Sequence, residues 1–401
     1  MLSLGRFVTG TTACVAVVGA LAYGSLLARR SLLPQWSGAL ARLAEIIIGL
    51  FVFFAVAQAL GAAHLFSSIT VFVGELLGGL ALCVAGRRLP ATGAHPQDEF
   101  VLSVRTSRPS GEVAVTVVGV ALVVVQWSTH VAYAISKGMT HADTLWYHQP
   151  FAATFVQQHG FTGIDSLGYD AARWFPFNAQ VVHGAGMLAF GRDIISPFVN
   201  LAWMALVLVA AWCAGRRHGV GHVCVLGAGA ALGLPVLVAT QPGQASSDVA
   251  CAALLLAAVA LLLESKLAPV PLGLAGLAAG MALSTKITIA APMALLAVGV
   301  VVVALLGRHY AATAAWSGAL AVTGSFWFLR DWVLSGTPLP WFAINVGPIH
   351  LPAQIPPSAP SLAHDVTRCY RSFKSRYLPC GFCSQSLQTI TVECARTGSC
   401  R

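Results

Sequence analysis

The sequence predicts an all-α polytopic membrane protein with about ten transmembrane helices. Three observations predict it. Of 401 residues, 57% come from the hydrophobic set and only 9% are charged, against about 25% charged in soluble domains. Apolar runs of about twenty residues recur, the length a helix needs to cross a bilayer. The net charge of +9 is carried by basic residues standing singly or in pairs between those runs. That placement speaks for membrane topology and not for nucleic-acid binding. A soluble enzyme, a disordered chain and an ordinary secreted domain are all excluded.

The expected spans are residues 8–28, 43–62, 65–86, 113–135, 197–214, 219–239, 246–264, 270–284, 287–307 and 310–329. Arg6 before the first run gives it the look of a signal peptide, but Arg29 and Arg30 after it favour a retained helix that starts outside. Placing 29–42, 86–112, 215–218, 265–269 and 308–309 in the cytoplasm puts eleven Lys and Arg there. Six lie on the outer side before residue 346 and six more in the tail. The positive-inside rule selects this orientation. Seven of the eight Asp then fall outside, including Asp143, Asp165, Asp170, Asp193 and Asp248, so the working face is expected to be extracytoplasmic.

The long outer loop, 136–196, carries two apolar stripes. Trp146, Tyr147, Phe151 and Phe155 form one, and Phe177, Val181, Val182, Leu188 and Phe190 the other. Both predict short amphipathic helices lying in the membrane interface. Three segments follow: an N-terminal three-helix membrane segment over 1–112, a transmembrane module over 113–345, and a Pro- and Cys-rich tail over 346–401. The tail crowds Cys369, Cys380, Cys383, Cys394 and Cys400 together. Their odd number and the absence of apolar partners argue against a metal module. The tail is expected to be unstructured or not the natural ending.

Chemistry is expected from polar residues at the outer helix ends. Asp143 follows the fourth span in Thr140-His141-Ala142-Asp143-Thr144-Leu145-Trp146-Tyr147-His148. A carboxylate held beside interfacial aromatics suits a general base acting on an acceptor hydroxyl. It equally suits a cap for the helix near Leu145, with Thr144 a competing cap. Flanking His141 and His148 leave a divalent cation open, although no metal-ligand set is assigned. Lys286, at the end of an apolar run, can bind a phosphate as a point charge or snorkel to lipid headgroups. Arg330 closes the tenth span within an aromatic belt, and Asp248 opens the seventh. One base and two phosphate-compatible cations at a lipid–water boundary suggest transfer from a lipid phosphate.

These residues, in this order, resemble the GT-C superfamily of polyprenyl-phosphate-sugar-dependent membrane glycosyltransferases. The nearest likeness is to bacterial members related to the aminoarabinose and protein O-mannosyl transferases. The matching layout has Asp143 after a helix, Tyr147 four residues on, His159-Gly160-Phe161, Trp174-Phe175-Pro176-Phe177-Asn178 and Phe190-Gly191-Arg192-Asp193. It continues with the run ending at Lys286 and with Phe326-Trp327-Phe328-Leu329-Arg330-Asp331-Trp332 through Pro338. Coverage is roughly 113–345, a seven-helix module. The resemblance implies Asp143 as the base, Lys286 and Arg330 on the donor phosphate, and inverting transfer of a hexosyl or pentosyl group. It leaves Tyr147, Asp165, Asp170 and Asp248 as substrate contacts. Thr144 stands where many members carry a second acidic residue, a place Asp165 or Asp170 can fill. The implied partners are a polyprenyl-phosphate-linked sugar, an extracytoplasmic acceptor (a cell-envelope glycan, lipid or protein) and the lipid bilayer, with no nucleic acid. The implied location is the bacterial cytoplasmic membrane. Rival expectations are a secondary transporter, because Glu75 sits mid-span, and a non-catalytic protein of envelope assembly.

Overall fold

The computed structural model describes residues 3–88, 111–162 and 172–354. Contacts divide the chain into two units, Met1–Arg330 and Asp331–Arg401. The helices are α1 (Leu4–Leu32), α2 (Gly38–Ala62), α3 (Ser68–Arg88), α4 (Gly111–Lys137), α5 (Gln149–Gln158), α6 (Asn178–Phe190) and α7 (Ser196–Arg216). They continue with α8 (Gly221–Leu232), α9 (Pro235–Thr240), α10 (Asp248–Glu264), α11 (Pro269–Leu283), α12 (Ala290–Leu306), α13 (Tyr310–Gly324) and α14 (Phe326–Ser335). Among the described residues the fold is 79% helical.

Six helices are long and apolar enough to cross a membrane: α1 to α4, α7, and α12 with the turn that leads into it. Every expected span falls on helix, but four are short. The sixth is broken into pieces of 12 and 6 residues, and α10, α11 and α13 have 17, 15 and 15. At 1.5 Å per residue these reach roughly 9–26 Å, less than the ~30 Å hydrocarbon core. On length and composition the structure thus shows six of the ten expected spans. The break has a local cause. Pro235 has no N–H to donate and forces Leu234 into an extended conformation (φ −60°, ψ 135°).

Contacts sort the helix ends of the first unit into two sides. On one, Phe7 packs on Phe190 at the end of α6, and Phe66 N donates to His159 O. Gly243 lies against His130 near the end of α4, and Asn178 N donates to Ser284 O. On the other side, Arg217 donates to Leu263 O and Arg29 ties the α1–α2 turn. Arg29 Nε meets Glu45 Oε1 at 3.1 Å and its Nη1 donates to Trp36 O. The start of α1, the α2–α3 turn, the 138–196 segment, the α9–α10 loop and the end of α11 thus share one side.

Small residues set the closest packing, as in membrane bundles where no hydrophobic force separates helix from lipid. A Cβ on Gly280 of α11 would lie 2.6 Å from Leu320 O of α13. One on Gly79 of α3 would lie 2.8 Å from the Ala20 backbone of α1. The peripheral helices instead turn apolar residues outward. Only 17% of the most apolar stretch is buried in α4 and in α12, the pattern of a lipid-facing surface.

Of the two loop helices, α5 is one-sided as expected, with Gln157 and Gln158 exposed, and α6 departs from the interfacial pattern. In α6, Asn178, Gln180, Val181, His183, Leu188 and Phe190 are all buried. The helix packs against α1, α2, α3, α5 and α7. Its polar stripe faces other polar side chains and not water. In α5, Phe151, Ala152 and Phe155 are buried, against Phe161, Phe177 and Trp327.

The second unit contains a two-stranded antiparallel hairpin, β1 (Ile344–Val346) and β2 (Ile349–Leu351), with Asn345 opposite His350. Gly347 at φ +56° makes its turn, and His350 Nδ1 contacts Asn345 Oδ1 at 3.0 Å. This hairpin straddles the boundary expected at 345 and is the one β element of the described residues, an addition to the all-α reading. The tail cysteines lie outside the described residues. Cys14, Cys83, Cys213, Cys224 and Cys251 carry free thiols.

Candidate functional site

The site is built on the loop 241–247, between α9 and α10. Asn200 of α7 donates through Nδ2 to three of its surroundings' carbonyls, Gln241 O at 2.8 Å, and Gln244 O and Ser246 O at 3.1 Å. A chain turning this tightly inside protein needs a partner for each carbonyl, and the two N–H groups of one buried amide reach three, one N–H being shared. The loop in turn clamps the chain after α4. Gln244 Oε1 accepts from Thr140 N at 3.1 Å and His141 N at 3.0 Å. Thr144 Oγ1 accepts from Ala245 N at 3.1 Å.

Asp143 sits in that clamped segment, partly exposed, where the chain enters a π-helical turn over Thr144–His148. Its carboxylate makes no capping bond to this turn, and Thr144 is occupied by the loop, so neither residue acts as the expected helix cap. Single π turns inside helices recur at functional sites because the extra residue re-aims the side chains. Here the turn sets the Tyr147 ring tilted against that of His148, centroids 4.2 Å apart, and edge-on to Phe175 at 6.1 Å.

His148 is buried, and Nδ1 is held by the Gln180 amide of α6. Burial, reinforced by the charges of His183 and Lys286, pushes its pKa down to about 3. The neutral imidazole is thus the form present at physiological pH. The same electrostatic neighbourhood includes Asp248 and His141. Asp248 and Lys286 are in direct contact, Nζ to Oδ1, and Gln241 Nε2 donates to Asp248 Oδ2 at 3.1 Å. A second histidine, His183, meets Ser196 Oγ at 2.8 Å, and burial lowers its pKa to about 4. Asp193 accepts from Gln149 and from Ser196 N. Burial raises its pKa, with the Ser196 bonds opposing the shift.

Arg330 occupies the aromatic side of the site. Its Nη2 donates to Arg173 O at 2.6 Å, and its guanidinium lies 5.0 Å from the Trp327 ring and 5.3 Å from Phe177. Both rings belong to a cluster with Phe155 and Phe161. Asn178 fixes this side: Oδ1 accepts from Gln58 Nε2 and Trp327 Nε1, both at 2.9 Å.

No known family model matches this chain, and no curated protein or solved structure is significantly similar to it. The geometry therefore stands alone. It joins Asp248 to Lys286 and places the 141–148 segment beside them. Arg330 is anchored separately among aromatic rings. Asp165 and Asp170 lie outside the described residues. Among the described residues, no group of three or more His, Cys, Asp and Glu is arranged to hold a metal ion. Sequence reasoning passed over Asn200, Gln180, Gln241 and the Gln180–His148 pair. The signal available was Gln180 and His183, polar residues three apart on one face of an apolar helix.

Proposed function

We propose that this chain is an integral membrane glycosyltransferase that moves a sugar from a polyprenyl phosphate to an extracytoplasmic acceptor. The observation that carries the reading is the 241–247 loop, which holds the segment bearing Asp143 through Thr140, His141 and Thr144 and reaches Asp248, the partner of Lys286, through Gln241. In this reading Asp143 removes the proton of the acceptor hydroxyl as its oxygen attacks the anomeric carbon. The bond from that carbon to the phosphate oxygen breaks on the opposite face, with inversion. The departing phosphate takes the electron pair, and Lys286 and Arg330 meet its charge. Tyr147 and Asp248 frame the substrate, and a divalent cation has no assigned role. The reading also takes the four shorter helices as spans, ten in all, with the site facing outward from a bacterial cytoplasmic membrane.

The test is transfer of radiolabelled sugar from membrane polyprenyl phosphates, with and without the intact protein. Label that stays on the lipid under every condition would overturn the reading. A second reading, an ion-coupled carrier, rests on Glu75. It is 1% exposed on α3, and both carboxylate oxygens are without a hydrogen-bond partner among the described residues. Uptake into proteoliposomes that depends on Glu75 would favour it.

A further inference from the structure

The candidate site uses none of the arginines at the opposite ends of the first three helices. Arg29 and Arg30 lie in the last turn of α1, and Arg87 and Arg88 in that of α3. Arg42 stands near the start of α2. Packing draws all five to one corner. Ser31 Oγ donates to Gly86 O, which brings the end of α1 beside the end of α3, and a Cβ on Gly86 would lie 2.6 Å from Ala28 N. Glu45 ties α2 into the same corner, because its two oxygens take Arg29 and Arg42.

Five guanidinium groups thus meet one carboxylate, and the corner is strongly cationic. Arg29 is spent on the fold, buried with Nε on Glu45 and Nη1 on Trp36 O. Arg30, Arg42, Arg87 and Arg88 are exposed. Among the described residues, none of Arg30, Arg87 and Arg88 is in an ion pair. A planar guanidinium matches the paired oxygens of a phosphate, so the corner favours a phosphate-bearing anion.

The surface of α3 indicates what that phosphate is attached to. Val73, Leu77, Leu80 and Val84 are exposed, and their spacing of three and four residues puts them on one face of the helix. Arg87 and Arg88, three and four residues beyond Val84, continue the same stripe. The opposite face, with Val71, Glu75, Gly79 and Gly86, is buried. From Leu77 to Arg88 the helix rises roughly 16 Å, about half of the ~30 Å hydrocarbon core. An apolar stripe one leaflet deep, ending in arginines, has the shape of an acyl chain ending in a phosphate. A nucleic acid or an acidic peptide would use the charge and leave the stripe bare.

We propose that this corner is a binding site for an anionic phospholipid, its headgroup phosphate on Arg30, Arg87 and Arg88 and an acyl chain along the exposed stripe of α3. Basic flanks that merely orient helices need only lie on one side of the membrane. This site differs in joining arginines of two packed helices to one apolar stripe. It is independent of the glycosyltransferase reading.

The test uses the full chain in detergent micelles, with native mass spectrometry counting bound lipid during titration. The probes are phosphatidylglycerol, phosphatidylcholine of the same chain length, and inorganic phosphate. One phosphatidylglycerol is expected to bind about 10- to 100-fold tighter than phosphatidylcholine, and about a hundredfold excess of inorganic phosphate should not displace it. An arginine beside anionic headgroups contributes roughly fivefold, so Arg87→Gln combined with Arg88→Gln should cut the preference by about 5- to 25-fold. Arg216→Gln combined with Arg217→Gln, the same change of charge at the end of α7, should leave it unchanged. Should the α3 variant not fold, Arg30→Gln on α1 carries the same test, with a loss of about fivefold expected and no loss overturning the proposal. Equal affinity for the two lipids overturns the site. An equal loss in the α7 variant also overturns it, because the effect would then be one of overall charge. Displacement by inorganic phosphate would make the corner a free-anion site and overturn the lipid assignment.

Discussion

At the scale of single residues, Asp143 and Lys286 are expected to fail in different ways. Asp143→Asn keeps the shape of the side chain and removes its ability to take a proton. Turnover should fall on the order of 10² to 10⁴-fold with donor binding intact. Lys286→Ala removes a charge-assisted contact and should weaken donor binding about 10- to 150-fold. It also strips Asp248 of its partner. Pairing it with Asp248→Asn should therefore recover stability without recovering donor binding, and that split separates a phosphate contact from a structural ion pair. Loss of donor binding in Asp143→Asn, with turnover of the bound donor unchanged, would remove Asp143 from the catalytic role.

The buried histidines predict a pH dependence of stability. His148 and His183 titrate near 6.5 when unfolded and near 3 and 4 in the folded protein. Between those limits the unfolded chain binds more protons, so stability rises with pH. It is fully present above pH 6.5 and is lost as the pH falls toward 4. The loss should be on the order of 1–3 kcal/mol per histidine. Thermal unfolding of the purified protein from pH 7.5 down to 4.5 measures it. His183→Gln should flatten the profile, and an unchanged slope would place His183 in contact with water.

At the scale of elements, the loop 241–247 depends on one side chain from another helix. Asn200→Leu leaves three carbonyls without their donor and should destabilise the protein by about 2–4 kcal/mol. Because the same loop holds Thr140, His141 and Thr144, activity should drop with it. Protease accessibility of the loop and the unfolding midpoint read the two effects separately. Gly280→Val should act on a different contact, the close approach of α11 to α13, where even a Cβ meets backbone. Its cost belongs to packing, and donor affinity per folded molecule should be unaffected.

For the whole molecule, the sided arrangement of helix ends makes the orientation testable at positions exposed in the fold. Cysteines introduced at Lys137 and Arg192 should label with an impermeant reagent in intact cells, and those at Arg217 and Arg308 should not. The reverse pattern would place the site in the cytoplasm. Deleting 366–401 should leave membrane insertion intact. Collapse of insertion would make the tail a genuine domain.

Apolar run length and composition by themselves determined that this chain is helical with segments long and apolar enough to cross a membrane, because a twenty-residue apolar helix has few alternatives to a bilayer. They also located every long helix, since each is a continuous stretch whose backbone bonds close within itself. They did not determine which helices are long enough to span. The Pro235 break and the ends of α10, α11 and α13 depend on local backbone geometry that hydropathy averages away. The polar residues Asp143, Asp248, Lys286 and Arg330 were legible because a charge in an apolar chain stands out. Only the tertiary structure decided that Asp248 and Lys286 pair across 38 residues, that α6 is buried, and that Asn200, Gln180 and Gln241 organise the site. Uncharged amides carry no periodic signal, and what they do follows from which donors and acceptors the fold leaves facing them.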